Sequence, residues 1–204
     1  LDEIVGSAAH GLFCANGVGG RLYFVVRADR PADRVEQLTI DGDPGKASAY
    51  WHYDQAPAEP LTVWVGLSWV SIAEARANLD AERLPFDEAR DAAARVWQER
   101  LGRIELSGGS AEERTKFYTA LYHALLHPSI LSDVGGSYRR FPSGEIAQAG
   151  DVPRYTVFSL WDTYRTLHPL LSLVYPEVQL EILRSLEDMT LRAGAPPKWE
   201  LLAE

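Results

Sequence analysis

The chain has 204 residues, of which 46% are hydrophobic and 24% charged, with a formal net charge of -9. That apolar content supports a packed core and excludes a disordered chain, while the acidic balance excludes a nucleic-acid partner, whose phosphates need a basic face. No run of 18 apolar residues is present, so no membrane span is expected, and the single Cys14 excludes an internal disulfide without fixing a compartment. The chain opens on Leu1 and ends while an apolar pattern is still running, as expected of a piece of a longer protein.

Residues 1–72 read as β. Leu22, Phe24 and Val26 alternate with Tyr23, Val25 and Arg27; Val35, Leu38 and Ile40 form a weaker run; Leu61, Val63, Val65 and Leu67 alternate with Thr62, Trp64, Gly66 and Ser68. Turn-rich pieces such as Asp41-Gly42-Asp43-Pro44-Gly45 separate them, and strands strung together without helices predict the closing strands of a sandwich. Residues 73–109 change period. Ser71 and Glu74 fit a capping box for a helix to about Leu79, and Pro85 opens a second helix that Gly102 closes as a left-handed cap. The apolar positions Phe86, Ala89, Ala93, Val96, Trp97 and Leu101 recur at helical spacing against a charged outer face, the pattern of a linker packed on one side.

From residue 110 onward the pattern is helical. Ser110 and Glu113 form a second capping box, and Phe117, Tyr118, Leu121, Tyr122, Leu125 and Leu126 span a wide apolar arc ended by Pro128. Residues 129–155 read as one long loop without periodicity, of a length that is uncommon in a compact domain unless functional. Ser159 with Asp162 opens the next helix, in which Pro169 predicts a kink or an early end. Pro176 starts the last helix and Gly194 stops it.

Two aromatic stretches stand out, Phe117–His123 and Tyr155–Arg165. An indole beside a carboxylate and a guanidinium is the chemistry of a sugar site: a flat apolar face for the ring, charged groups for its hydroxyls. Trp161 also fits a core aromatic, and Asp162 fits a cap partner or an i,i+3 pair with Arg165. Asp133 and Arg139 sit in the long loop, as turn residues or on the ligand side. His123 and His127 stand at a metal-compatible spacing but lack companion ligands, so they read as core or capping histidines, with Tyr118 and Tyr122 as core.

The stretches Phe117-Tyr118-Thr119-Ala120-Leu121-Tyr122-His123, Ser132-Asp133-Val134 with Tyr138-Arg139, and Phe158-Ser159-Leu160-Trp161-Asp162-Thr163-Tyr164-Arg165 together resemble glycoside hydrolase family 92, as does Ala75-Arg76-Ala77-Asn78-Leu79. The resemblance implies an α+β multidomain chain: the end of an N-terminal β-sandwich in residues 1–72, a helical linker in 73–109 and the start of an (α/α)6 barrel in 110–204. It implies an inverting, calcium-dependent exo-α-mannosidase acting on mannose-terminated glycans, secreted, periplasmic or at the surface of a bacterium. It further implies substrate contacts at Trp161, Asp162 and Arg165, with Asp133 as a loop candidate. The family's catalytic acid and base, and its calcium ligands, are expected outside this chain, which is then inactive alone. The other reading of the residues is a non-catalytic carbohydrate-binding or scaffold protein.

Overall fold

The computed structural model describes residues 2–9, 20–40, 43–55, 59–198 and 200. Strands β1 (Glu3–Ala9), β2 (Arg21–Ala28) and β5 (Val63–Ser68) form an antiparallel sheet in the order β1-β2-β5, and β3 (Arg34–Ile40) pairs antiparallel with β4 (Asp43–His52). The alternation read in β2 and β5 is present, but the face differs. Val25 and, at the end of the strand, Ala28 are the buried members of β2, and in β5 it is Gly66 and Ser68 that are buried while Val63, Val65 and Leu67 are exposed. Asp43 and Pro44 belong to β4 rather than to a turn, and Asp41 and Gly42 lie outside the described residues.

Helix α1 (Ile72–Glu82) explains the inversion. Its Ala75 and Leu79 close a small core with Val25, and it lies directly on Gly66, where a Cβ would meet the Ala75 carbonyl oxygen at 2.2 Å. Only glycine allows so close an approach. The cap of α1 is half the expected box. Ser71 Oγ accepts the Glu74 amide at 3.1 Å, but the Glu74 carboxylate accepts from Ser137 Oγ instead, at 3.0 Å.

Helix α2 (Phe86–Leu101) has no buried residue, and Gly102 closes it with a right-handed φ of -70°, not a left-handed cap. The expected packed side amounts to Trp97, whose ring lies 4.5 Å from that of Tyr122, and Leu101, which packs on the larger core; Phe86 and Val96 are exposed. Helix α3 (Ala111–Ala124) carries the complete Ser110–Glu113 capping box and buries Leu121.

The long loop is not structureless. Strand β6 (Ser129–Ile130) pairs with β9 (Tyr155–Thr156), and β7 (Ser137–Arg139) with β8 (Ile146–Gln148). Such strands are too short to show a period-two pattern, which is why the sequence reads as loop. The helix expected from Ser159 is two pieces, α4 (Leu160–Thr163) and α5 (Leu167–Val174), and the break precedes Pro169, which sits in the first turn of α5 where proline is tolerated. Helix α6 (Pro176–Ala193) begins and ends as expected, with Gly194 at φ 75°. The larger core gathers Leu121, Tyr155, Phe158, Leu171, Tyr175, Ile182 and Met189 from α3, α5, α6 and the segment before α4.

Candidate functional site

The segment leading into α4 is pinned to the core by Tyr155, Thr156 and Phe158. Tyr155 donates its phenol to Glu181 at 2.9 Å, and its N–H donates to Ser185 Oγ at 3.0 Å; burial, then Glu181, push that phenol above its ordinary range. Thr156 and Phe158 are both fully buried. Between and after them the backbone turns through two positive φ angles, 64° at Val157 and 44° at Ser159. The chain is thereby turned outward. Trp161 is 62% exposed, with Asp162 and Arg165 exposed beside it.

Ser159 does not cap α4 through its side chain. Its hydroxyl donates to Asp162 Oδ2 at 2.6 Å, and among the described residues Asp162 Oδ1 accepts no bond. Arg165 turns to Tyr164 rather than to Asp162. Its Nε donates to Tyr164 Oη at 2.8 Å, and its guanidinium lies 5.4 Å from that ring. Behind α4, His168 bridges Thr163 Oγ1 at 3.0 Å and Gln179 Oε1 at 3.1 Å, fixing the end of α4 against α5 and α6.

Asp162 lines a surface depression of about 550 Å³ together with His123, His127, Thr163 and Thr166, floored by Leu167 and Leu170. The two histidines, expected in the core or at a cap, are exposed on the wall of this depression. Tyr118 reaches the Ile104 carbonyl at 3.0 Å and is partly buried; Tyr122, 38% exposed, packs at a tilt against Trp97 rather than entering the core.

Asp133 lies elsewhere. It lines a cleft of about 780 Å³ between β5, α1 and residues 130–136 and 149–153, with Trp64, Asn78, Glu82, Arg83 and Asp151. Its carboxylate is buried, and both oxygens are occupied: Oδ2 by Ser68 Oγ at 2.8 Å, Oδ1 by Asn78 Nδ2 at 2.7 Å. Burial raises its pKa above the ordinary value, offset in part by those two donors. Asn78 also donates to the Leu67 carbonyl and accepts the Val134 amide, so Asp133 and Asn78 fasten the loop to α1 and β5. Arg139 is likewise structural, donating to the carbonyls of Trp69 at 2.6 Å and Gly144 at 3.1 Å. The structure therefore brings Trp161, Asp162 and Arg165 together and leaves Asp133 apart. What the sequence reading missed is Glu200, whose carboxylate bonds to Thr156 Oγ1 and to the Val157 amide. No local pattern signals a contact across that separation.

The model of the glycosyl hydrolase family 92 catalytic domain matches residues 74–204. The chain belongs to glycoside hydrolase family 92. Its fold matches the family GH92 α-mannosidase BT3965 from Bacteroides thetaiotaomicron with a TM-score of 0.80 at 30% identity, over 91% of this chain and 27% of that one. The same enzyme in complex with mannoimidazole matches with a TM-score of 0.81 at 30% identity, over 92% and 27%. The family GH92 inverting mannosidase BT2199 from the same organism matches with a TM-score of 0.78 at 26% identity, over 88% and 26%. The family 92 chain thus spans about a quarter of the length of these relatives. A comparison with curated proteins finds no match. Among the described residues no helix is long and apolar enough to cross a membrane.

Proposed function

We propose that this chain is part of an inverting exo-α-mannosidase that removes terminal mannose from glycans, and that Trp161 and Asp162 belong to the pocket for the terminal sugar. On this reading residues 1–72 are the end of a β-sandwich, 73–109 a linker and 110–204 the opening of an (α/α)6 barrel. Family membership, the two mannosidase relatives and the complex of one of them with mannoimidazole support the substrate class. The observation that carries the site is the exposed indole and carboxylate on a turn whose flanking residues are sealed in the core. The indole offers an apolar plane to the sugar ring, Asp162 Oδ1 accepts sugar hydroxyls, and Arg165 borders the pocket.

Inversion needs an acid and a base about 6.5–9.5 Å apart with water between them. Asp162 is the one carboxylate among the described residues lining its depression, and the catalytic acid and base are assigned to residues outside this chain. Residues 1–204 alone are then expected to be inactive. Calcium, which the family implies, finds no fit here. No group of three or more His, Cys, Asp or Glu among the described residues could hold a metal, and both oxygens of Asp133 are taken by hydroxyl and amide donors. The roles given to Trp161 and Asp162 do not depend on it.

The test is steady-state turnover of an aryl α-mannoside by the complete enzyme. Loss of a hydrogen bond to a charged group predicts that Asp162→Ala lowers kcat/KM by roughly 10–100-fold, and Trp161→Ala raises KM. Unchanged turnover in Asp162→Ala refutes the assignment of Asp162 to the pocket, while absence of turnover in the wild-type complete protein favours the scaffold reading.

A further inference from the structure

Glu200 is only 1% exposed, and it places both carboxylate oxygens on one short stretch of chain: Oε1 accepts from Thr156 Oγ1, and Oε2 accepts the Val157 amide at 2.9 Å. A buried carboxyl group is unfavourable unless hydrogen-bond donors compensate it, and here two such donors come from this one stretch. The residue it holds is the unusual one. Val157 has φ 64°, a region in which a β-branched residue is a genuine outlier. Two residues later Ser159 repeats the excursion at φ 44°. Strained backbone of this kind persists only where its surroundings over-determine it, and it clusters at functional sites.

The surroundings do so here from both ends. Upstream, Glu200 clamps Thr156 and the Val157 amide; downstream, Ser159 Oγ is held by Asp162 itself, and Phe158 between them is fully buried. The double excursion converts a sealed strand into a turn that faces outward, with Trp161 and Asp162 the first residues to project. We propose that Glu200 is a positioning residue for the sugar pocket: it holds Val157 in the left-handed conformation, which aims the indole and carboxylate at the substrate. This rests on the pocket reading above.

A carboxylate suits the task because two donors need two acceptor oxygens. A glutamine supplies one, with its amide facing the other donor, and Thr156 Oγ1 can turn to accept it. Glycine at residue 157 adopts positive φ without steric cost and needs no clamp to do so.

The experiment compares the complete enzyme with Glu200→Ala, Glu200→Gln, Val157→Gly and the Glu200→Ala/Val157→Gly pair, by kcat and KM on an aryl α-mannoside and by amide hydrogen exchange of residues 155–160. Misplaced binding groups predict a loss in kcat/KM on the order of 10²-fold in Glu200→Ala, carried mainly by KM, with faster exchange of the segment. Glu200→Gln retains more activity, and removing Glu200 costs several-fold less in the Val157→Gly background. An equal cost in both backgrounds overturns the proposal, because a residue touching the sugar or merely supporting the core would not be relieved by glycine. Were Asp162→Ala silent, the pocket reading would fall by itself; exchange of residues 155–160 would still judge Glu200, and a rate unchanged in Glu200→Ala would sink its role.

Discussion

Asp133 shows how one residue type in one loop serves two readings. Its place beside glycines in a polar segment is equally that of a ligand contact and of a fastener. Burial and partners separate them, since both oxygens are taken by Ser68 and Asn78. Truncation to alanine leaves the buried Ser68 hydroxyl without its acceptor and takes from the Asn78 amide one of its two acceptors, at a cost of about 2 kcal/mol. Asp133→Ala is therefore expected to lower the melting temperature of the complete enzyme while leaving KM near that of the wild type. A raised KM at full stability would return Asp133 to the substrate side. Trp161 and Asp162 are the opposite case. They are exposed, and the device that exposes them, positive φ at Val157 and Ser159, lies in residues with no preference for that conformation and so leaves no trace in the sequence.

Among elements, α3 and α6 were legible because a capping box, a proline at the start and a glycine at the stop are local signals joined to strong periodicity. The short strands β6 to β9 were not, since two or three residues carry no period. The face of β5 was misleading because its helix contact is made by Gly66, whose lack of a side chain is what lets α1 approach. Strand β1 is tied to its neighbours by Glu3, which binds Arg76 of α1 at 2.6 Å and Arg27 of β2 at 2.8 Å. The Arg76 bond, then the Arg27 bond, hold the Glu3 carboxyl below its ordinary pKa of 4.5. A depressed folded pKa gives stability that is present above the unfolded value and lost as pH falls through the folded one. Glu3→Gln is thus expected to cost about 1 kcal/mol at neutral pH, given that all three side chains are partly exposed. Urea melts of mutant and wild type should converge below pH 4.5; a constant gap across that range would mean that the charge is not what holds β1 in place.

At the scale of the whole molecule, the apolar surface is distributed unevenly. Helix α6 buries Gln179, Ile182, Ser185 and Met189 on one side, while Leu180 (50%), Leu183 (49%) and Leu191 (77%) are exposed on another, and Leu173 at the end of α5 is 83% exposed. A leucine stripe of this kind is unfavourable in water and is normally covered. Nothing among the described residues covers it, and the chain spans about a quarter of the length of its mannosidase relatives. Residues 1–204 produced alone are therefore expected to self-associate at micromolar concentration through this stripe. Light scattering after gel filtration tests the point directly. Replacing Leu173, Leu180, Leu183 and Leu191 by glutamine should shift the isolated piece toward monomer, because the exposed side chains removed contribute nothing to its own core. A wild-type piece that runs as a monomer would show that the stripe is tolerated, and an unchanged aggregate in the variant would move the sticky surface elsewhere, to the exposed Val63, Val65 and Leu67 of β5.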